Sequence, residues 1–222
     1  MRAVGLESFE EGPKVLEVSV PQPGPGEVPV KVSHSSINGF DVGVAFGMVK
    51  DMMEHRFPVV LGKDFAGTVE AVGEGVSGFS KGDAVFGVLM REYVGDGTLA
   101  EYVVIPEAIG LTRLPLELDP ATAGALGLAG TAAHATVGAT SPVVGETLLI
   151  GGATGGVGAK AIQLAARRGA NVVATARPAR RPTLSPDWGR STRSTTQPTS
   201  RPRSARSQPT ASMQLSILRV TV

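Results

Sequence analysis

The sequence predicts an α/β protein in two parts, a β-barrel or β-sandwich followed by an incomplete doubly wound domain, with a disordered basic tail. Short Val-rich strands separated by Gly and Pro run to about residue 110. A glycine-rich turn then joins a buried strand to a helix. Near Arg177 the composition changes abruptly. We therefore expect divisions at residues 1–119, 120–176 and 177–222.

The composition narrows the possible classes of protein. The 222 residues are 42% apolar but only 5% aromatic, and 29 Gly with 16 Pro exclude a coiled coil. The lack of cysteine excludes disulfides, a Cys nucleophile and Cys-ligated zinc. The first residues contain no long apolar stretch, so we expect no secretory signal and a cytoplasmic protein. The uncharged segment 120–145 is rich in Ala and Gly, which favours a buried helix over a membrane span.

Residues 1–110 alternate between strand and turn. Gly-rich and Pro-rich connections at 21–26 and 73–82 separate runs with high β-propensity. The predicted strands are 2–6, 15–20, 28–33, 68–72, 84–88 and 100–105. From residue 120 the pattern changes to a small-residue helix over 121–137, in which we expect His134 to pack in the core.

The most informative stretch is 146–175, which predicts one βαβ unit. A strand at 147–150 is followed by a turn, a helix over 156–168, Gly169 as its C-terminal cap, and a second strand at 171–175. The turn A-T-G-G-V-G has Ala153, Gly155 and Gly158 at the spacing of a dinucleotide fingerprint. An ordinary connection between a strand and a helix is the alternative. The strand, turn, helix and strand order favours the dinucleotide.

The turn predicts the contacts of a cofactor. Gly155 would let the backbone approach a pyrophosphate, Gly158 would let the helix pack closely on the strand, and the helix N-terminus would attract the anion. The predicted cofactor-binding residues of the turn are Ala153, Thr154, Gly155, Gly156, Val157 and Gly158. At the end of the second strand, Thr175 and Arg177 stand where NAD-binding proteins place an acid, which favours NADP.

The charge is divided unevenly along the chain. Residues 1–176 hold 12 Lys and Arg against 19 Asp and Glu, whereas residues 177–222 hold 9 against 1. The second stretch lacks any apolar period, which predicts a disordered tail. Nucleic-acid binding is disfavoured because the tail has one aromatic residue, no Lys and no repeat. A one-base frameshift is a second hypothesis, since the shifted codons are compatible with two strands.

Six motifs stand in order along residues 1–176: S-I-N-G-F-D (36–41), F-P-V-V-L-G-K-D-F-A-G-T-V-E-A-V-G (57–73), F-S-K-G-D-A-V-F-G (79–87), G-T-L-A-E-Y-V-V-I-P (97–106), L-G-L-A-G-T-A-A (126–133) and A-T-G-G-V-G (153–158). Together they resemble the medium-chain dehydrogenase/reductase superfamily, in its zinc-independent quinone oxidoreductase and enoyl reductase branch. The resemblance implies a GroES-like barrel followed by a Rossmann domain, with NAD(P)H bound in the cleft between them.

The resemblance also implies chemistry without zinc. Zinc-dependent relatives have a Cys near Asn38 and a Gly-His-Glu where this chain has Gly62, Lys63 and Asp64. We therefore expect no catalytic metal, and hydride transfer from NADPH to a quinone or an α,β-unsaturated carbonyl as the small-molecule acceptor.

The N-x-x-D motif points to Asn38 as the candidate catalytic residue, facing the nicotinamide or the acceptor oxygen. The alternative is that Asn38 and Asp41 cap a turn or a short helix. Asp64 is expected to be structural. Thr131 lies in the segment that reaches the nicotinamide in relatives.

A doubly wound domain normally has six strands, and this chain shows two before the pattern ends. We therefore expect activity to be impaired as written, through loss of most of the cofactor domain, and a homodimer only where that domain is complete. The alternative function is a non-enzymatic remnant or binding protein that keeps the GroES-like barrel.

Overall fold

The computed structural model describes residues 1–175 and the backbone of residues 192–194 and 216–220. The chain forms two compact units, Met1–Leu128 and Ala129–Val222. The division predicted near residue 119 stays a prediction.

The first unit consists mainly of short strands. Its elements are β1 (Arg2–Leu6), β2 (Lys14–Glu17), β3 (Glu27–His34), α1 (Gly39–Ala45), β4 (Glu54–His55), β5 (Val59–Val60), β6 (Asp64–Val69), β7 (Ala84–Val88), β8 (Tyr93–Val94), β9 (Tyr102–Pro106), β10 (Leu111–Arg113) and α2 (Pro120–Ala123). Helix α3 (Gly127–Thr140) begins at the end of this unit.

Antiparallel pairing builds the main sheets of the first unit. One sheet has the order β10-β7-β6-β3-β9 and another has the order β2-β1-β5. A single bridge between Ala3 and Ala100 joins β1 to the segment before β9. Alternate residues of the five-stranded sheet, among them Val28, Val30 and Val85, are buried with Phe65 and Ile105 in one apolar core. The antiparallel β-domain predicted from the Val-rich runs is confirmed.

Strand β6 differs from the prediction of a strand at 68–72. It covers Asp64–Val69, and the Glu70 N–H makes one further bond to the Pro29 carbonyl of β3. Helix α1 corresponds to the short helix that was offered only as an alternative for Asn38 and Asp41. Its seven residues are too few to show a clear helical period.

The single helix predicted over 121–137 is wrong, because the chain forms α2 and α3 with a break between them. A Cβ on Gly124 would lie 2.9 Å from Cβ of His34, and one on Gly127 would overlap the Gly87 carbonyl oxygen. The chain therefore lies close to β3 and β7 at these two glycines, and the helix is interrupted between them. His134 is exposed rather than packed in the core, since α3 buries Ala133 and Val137 instead.

The second unit contains the predicted βαβ unit, which is confirmed. Strand β11 (Thr147–Gly151) and strand β12 (Asn171–Thr175) pair in parallel, and α4 (Gly156–Arg167) connects them. Gly169 has a φ of +80°, a conformation that ends the helix at little cost only for glycine. Buried residues of these elements and of α3 form the core: Ala133, Val137, Leu148, Ile150, Ala161, Ala165 and Val172. No helix within the described residues has both the length and the apolar character to span a membrane.

Two short strands extend this sheet on either side. Strand β13 (Thr192–Ser194) pairs in parallel with β12, and β14 (Ser216–Val220) pairs antiparallel with β11. Two segments of the stretch predicted to be disordered thus form strands, because the edges of β11 and β12 offer unpaired backbone groups. The rest of that prediction, the frameshift hypothesis and Arg177 lie outside the described residues.

Candidate active site

Asn38 occupies the N-cap position of α1, and a buried carboxylate holds its backbone. Oδ2 of Asp41 accepts the Asn38 backbone N–H at 2.7 Å, and Oδ1 accepts the Gly62 N–H at 3.1 Å. Asp41 is 3% exposed. Asp41 therefore has the capping role that the sequence offered as an alternative.

The side chain of Asn38 turns to a second carboxylate. Nδ2 of Asn38 donates to Oδ2 of Asp64 at 3.0 Å, with a longer contact of 3.5 Å to the Ser36 hydroxyl. The Ser36 hydroxyl donates to the same carboxylate oxygen at 2.5 Å. Asp64 is fully buried. A carboxylate without solvent is stabilised by donors of this kind.

The other oxygen of Asp64 caps α3. Oδ1 accepts the Leu128 N–H at 2.5 Å. Leu128 is the second residue of α3, where backbone N–H groups lack a partner within the helix and a negative charge is favourable. A Cβ on Gly127 would lie 2.7 Å from Oδ1, so glycine permits this approach. The Ser35 hydroxyl donates to the Asp64 carbonyl at 2.7 Å.

The carboxylate of Asp64 thus accepts three hydrogen bonds, which agrees with the structural role expected of it. One of the three donors is Asn38. Sequence reasoning did not predict the bonds from Ser36 and Leu128, which come from distant parts of the chain. One signal was available, since Asp64 is the single acid in the apolar run 57–69. A charge at such a position is buried only when it is paired or hydrogen-bonded.

Lys63 places a half-buried cation beside these carboxylates. Its Nζ lies 5.0 Å from the centre of the Phe40 ring, within the range of a cation–π interaction. Burial lowers the pKa of Lys63, against the attraction of Asp41 and Asp96. Burial likewise raises the pKa of Asp41, although the two N–H groups that it accepts oppose the change. Both groups are therefore held in a partly dehydrated environment.

The donor groups in this cluster do not fit a zinc centre. Zinc is bound by thiolates, imidazoles and carboxylates, whereas the cluster offers an amide and an ammonium beside two carboxylates that already accept N–H and O–H groups. Over the part of the chain that the structure describes, no three His, Cys, Asp or Glu residues lie together as a set of metal ligands.

The glycine-rich turn belongs to the second unit, whereas Asn38 belongs to the first. Gly155 is the N-cap of α4, and in the described structure it brings no side-chain acceptor and the first helical turn contains no acid. The N–H groups and the positive end of the helix dipole therefore meet no negative side chain of that turn, which suits a phosphate.

Glycine is required inside this turn. A Cβ on Gly158 would lie 2.7 Å from Cα of Ala153 and would overlap the Gly152 carbonyl oxygen. A Cβ on Gly156 would meet only Cβ of Ala129 at 3.5 Å, an ordinary contact. Helix α4 therefore packs against the end of β11 at a distance that a side chain at 158 would prevent.

The remaining predicted cofactor residues differ in their surroundings. Thr175 Oγ1 accepts the Gly152 N–H at 3.1 Å, which ties the end of β12 to the turn after β11. Thr154 is exposed, Val157 packs against the core, and Thr131 is exposed on α3. The assignment of all these residues to cofactor binding stays a prediction.

Comparisons with known proteins agree with this architecture. Residues 24–115 match the alcohol dehydrogenase GroES-like domain. The chain is 37% identical over 184 residues to a chloroplastic quinone oxidoreductase of Triphysaria versicolor, covering 79% of this chain and 55% of that protein. A crystal structure of an alcohol dehydrogenase superfamily protein from Novosphingobium aromaticivorans matches with a TM-score of 0.72 at 37% identity, covering 80% of this chain and 54% of that one. A mycobacterial protein solved in complex with NADPH matches with a TM-score of 0.68 at 27% identity, covering 81% and 54%.

A GroES-like β-domain followed by a βαβ unit with this turn defines a medium-chain dehydrogenase/reductase, and the chain belongs to that superfamily. It spans about half the length of the relatives that it matches. Within the superfamily, its relatives place it in the quinone oxidoreductase branch.

Proposed function

We propose that this chain carries the substrate domain and the first cofactor-binding βαβ unit of a zinc-independent reductase, which uses NADPH to reduce a quinone or an α,β-unsaturated carbonyl. The observation that carries the proposal is the glycine-rich turn between parallel strands, at a helix N-terminus without a side-chain cap. NADPH supplies the hydride when it is bound, and the protein supplies binding and orientation.

The choice of NADPH over NADH rests on the end of β12. The strand ends at Thr175, a neutral residue whose hydroxyl accepts the Gly152 N–H. An acid at this place would bind the ribose 2′-hydroxyl of NAD and repel the 2′-phosphate of NADP. The mycobacterial structure in complex with NADPH is consistent with this preference.

The acceptor class follows from the chemistry of the Asn38 cluster. An amide, a half-buried ammonium and two carboxylates occupied by donors form no Lewis acid. This supports an acceptor that is activated by its own conjugation, as quinones and enones are.

A second candidate function is a non-enzymatic binding protein that keeps the GroES-like domain. It is favoured by the family match, which covers the GroES-like domain at residues 24–115. The two functions differ in whether a nicotinamide cofactor binds.

Titration of the 222-residue protein with NADPH, followed by nicotinamide fluorescence, tests the proposal. The reductase predicts saturable binding that Gly158→Val weakens by at least about tenfold, because the new side chain overlaps the turn. Gly138→Ala in α3 is the matched control, since a Cβ there meets no atom within 4 Å. Absence of saturation by NADPH would favour the binding protein.

Turnover is tested by the loss of NADPH absorbance in the presence of a soluble benzoquinone. A rate that a strong chelator leaves unchanged supports zinc independence, and a rate abolished by the chelator and restored by zinc would contradict it. Tighter binding of NADH than of NADPH would contradict the preference for the phosphorylated cofactor.

A further inference from the structure

We propose that Lys63 is a site of covalent modification, whose side-chain amine adds to conjugated carbonyl compounds such as quinones and enones. The addition needs no cofactor, and every group that it uses belongs to the first unit. It therefore goes beyond the proposed function and does not depend on it.

The chain contains no thiol that would react before an amine. Thiolates are the most reactive nucleophiles among protein side chains, and the sequence has no cysteine. The remaining nucleophiles of this kind are amines, which include six lysines at positions 14, 31, 50, 63, 81 and 160. An amine adds only in its unprotonated form, so a lysine that loses its proton easily reacts first.

The Lys63 amine has no polar partner among the described residues. It forms neither a hydrogen bond nor an ion pair there, and its contact is with the Phe40 ring, whose centre lies 5.0 Å from Nζ. Lys14 shows the opposite arrangement, since its Nζ pairs with Glu7 and with Glu11 at 2.6 Å. A carboxylate at hydrogen-bond distance holds the proton on an amine, whereas an aromatic ring does so less strongly.

The surroundings of Lys63 favour loss of its proton. Burial lowers the pKa of Lys63 against the attraction of Asp41 on α1 and of Asp96 after β8, and repulsion by Arg91 acts in the same direction as burial. Arg91 also lies 3.4 Å from the Asp96 carboxylate and partly neutralises it. At a given pH more of Lys63 is therefore unprotonated than of Lys14, whose pKa is raised by hydrogen bonds to two glutamates.

A small recess lies beside the amine. It has a volume of about 10 Å³ and is lined by Lys63, Asp41 and Asp96 together with Phe40, Val60 and Val94. That is the space of about one water molecule, so the body of an electrophile stays outside and only a few atoms can enter. Because Lys63 is half-buried rather than sealed off, its amine stays within reach of small or flat molecules.

The addition balances without any further reactant. The lone pair of Nζ forms a bond to the β-carbon of the conjugated carbonyl, and the electron pair of the C=C bond moves to give an enolate. The proton that the nitrogen loses reaches the α-carbon through water. The net change is addition of N–H across C=C, in which nothing is oxidised or reduced.

Labelling of the 222-residue protein with N-ethylmaleimide, a conjugated dicarbonyl, tests the proposal. The rate at each lysine is measured by digestion and mass spectrometry at mildly alkaline pH, without NADPH. Lys63 is expected to react at least about threefold faster than Lys31, an exposed lysine of β3, because the gain in unprotonated amine outweighs the loss of intrinsic nucleophilicity. Labelling of Lys63 at the rate of Lys31, or more slowly, would overturn the proposal.

The pH profile of labelling separates the effect of burial from that of access. The rate at Lys63 should reach half of its plateau below pH 10.5, the ordinary lysine value, and the rate at Lys14 above it. In urea that unfolds the protein, both lysines should react alike, because the difference depends on the fold. A difference that persists in urea would come from neighbours in sequence and would overturn the assignment to the folded site.

Two arginine variants identify the reacting amine. Lys63→Arg keeps the positive charge but removes the nucleophile, since a guanidinium is not deprotonated in proteins, and it is expected to abolish the fast phase of labelling. Lys31→Arg is the matched control and should leave the fast phase unchanged. A fast phase that survives Lys63→Arg would belong to another amine and would overturn the proposal. Urea unfolding of each variant checks that it folds, and the wild-type peptide map decides the question without the variants.

The outcomes separate this proposal from the proposed function. A protein that binds no NADPH but is labelled first at Lys63 contradicts the proposed function alone. A protein that binds NADPH but is labelled first at another lysine overturns the modification site alone.

Discussion

The Asn38 cluster and the glycine-rich turn are built from opposite materials. The cluster is organised by two side-chain carboxylates, Asp41 and Asp64, which accept donors from the segment before α1, from Gly62 and from the start of α3. The turn consists of backbone, and its shape depends on the side chain that Gly158 lacks. A polar site of the first kind is sensitive to which atom is donor or acceptor, whereas a backbone site of the second kind is sensitive to volume.

This contrast makes the two sites respond differently to substitution. An exchange of equal size, such as Asp for Asn, changes the cluster and leaves its volume unchanged. A single added methyl group changes the turn and leaves its charge unchanged. The predictions below separate these two kinds of sensitivity.

Asp64→Ala is expected to have the largest effect, because it removes the acceptor of three donors at a fully buried position. We expect a loss of about 3 kcal/mol in the free energy of unfolding, measured by urea denaturation. Asp119→Ala, which removes the exposed N-cap of α2, should cost about 1 kcal/mol. Equal losses in the two variants would mean that Asp64 is no more than another helix cap.

Gly158→Ala tests sensitivity to volume in the turn. The added methyl group overlaps the Gly152 carbonyl oxygen, so we expect a loss of about 1–3 kcal/mol by thermal or urea unfolding. Gly138→Ala in the open face of α3 should instead stabilise by about 0.5–1 kcal/mol. Losses of the same sign in both variants would contradict the distinction between crowded and open glycines.

Ser36→Ala sharpens the description of the cluster. It removes one of two donors to Oδ2 of Asp64 and leaves the bond from Asn38. We expect a loss of about 1 kcal/mol, the net contribution of one hydrogen bond. A loss as large as that of Asp64→Ala would show that the hydroxyl, rather than the carboxylate, organises the cluster.

Lys63→Met should have the smallest effect, and its sign depends on pH. Burial lowers the pKa of Lys63 in the folded state below 10.5, so the folded state disfavours the charged amine. The stability linked to this group is present above 10.5 and is lost as the pH falls through the lowered value. Replacement by Met should therefore raise the melting temperature slightly at neutral pH, and the difference should vanish as the pH rises past the ordinary lysine pKa.

An unchanged difference between the two proteins across that pH range would mean that the charge of Lys63 costs nothing. The cation–π contact with Phe40 would then compensate for the burial of the ammonium.

Elements with a strong local pattern could be predicted from the sequence. The strands at 2–6, 84–88 and 171–175 and the βαβ unit match the structure, because each combines period or burial with a clear glycine or turn signal. The break between α2 and α3 could not be predicted in this way. It depends on contacts of Gly124 and Gly127 with residues of β3 and β7, far away in sequence.

The same distinction between local patterns and distant contacts applies to the two candidate sites. The turn at 153–158 could be found because all its residues are consecutive. The partners of Asp64 lie 26 residues away at Asn38 and 64 residues away at Leu128, so no local pattern indicates them. Asn38 itself was found through a motif, but the direction of its amide depends on the fold.

The bonds between Arg2 and Glu101 have a consequence for the order in which the chain acquires its structure. These residues are 99 positions apart, and the nearby bridge between Ala3 and Ala100 joins residues almost as distant in sequence. Contacts between such distant residues slow folding, because the intervening loop must close before they can form. During synthesis the first unit cannot complete its closure until more than a hundred residues have left the ribosome, whereas β11, α4 and β12 follow one another directly along the chain and can pair once β12 has emerged.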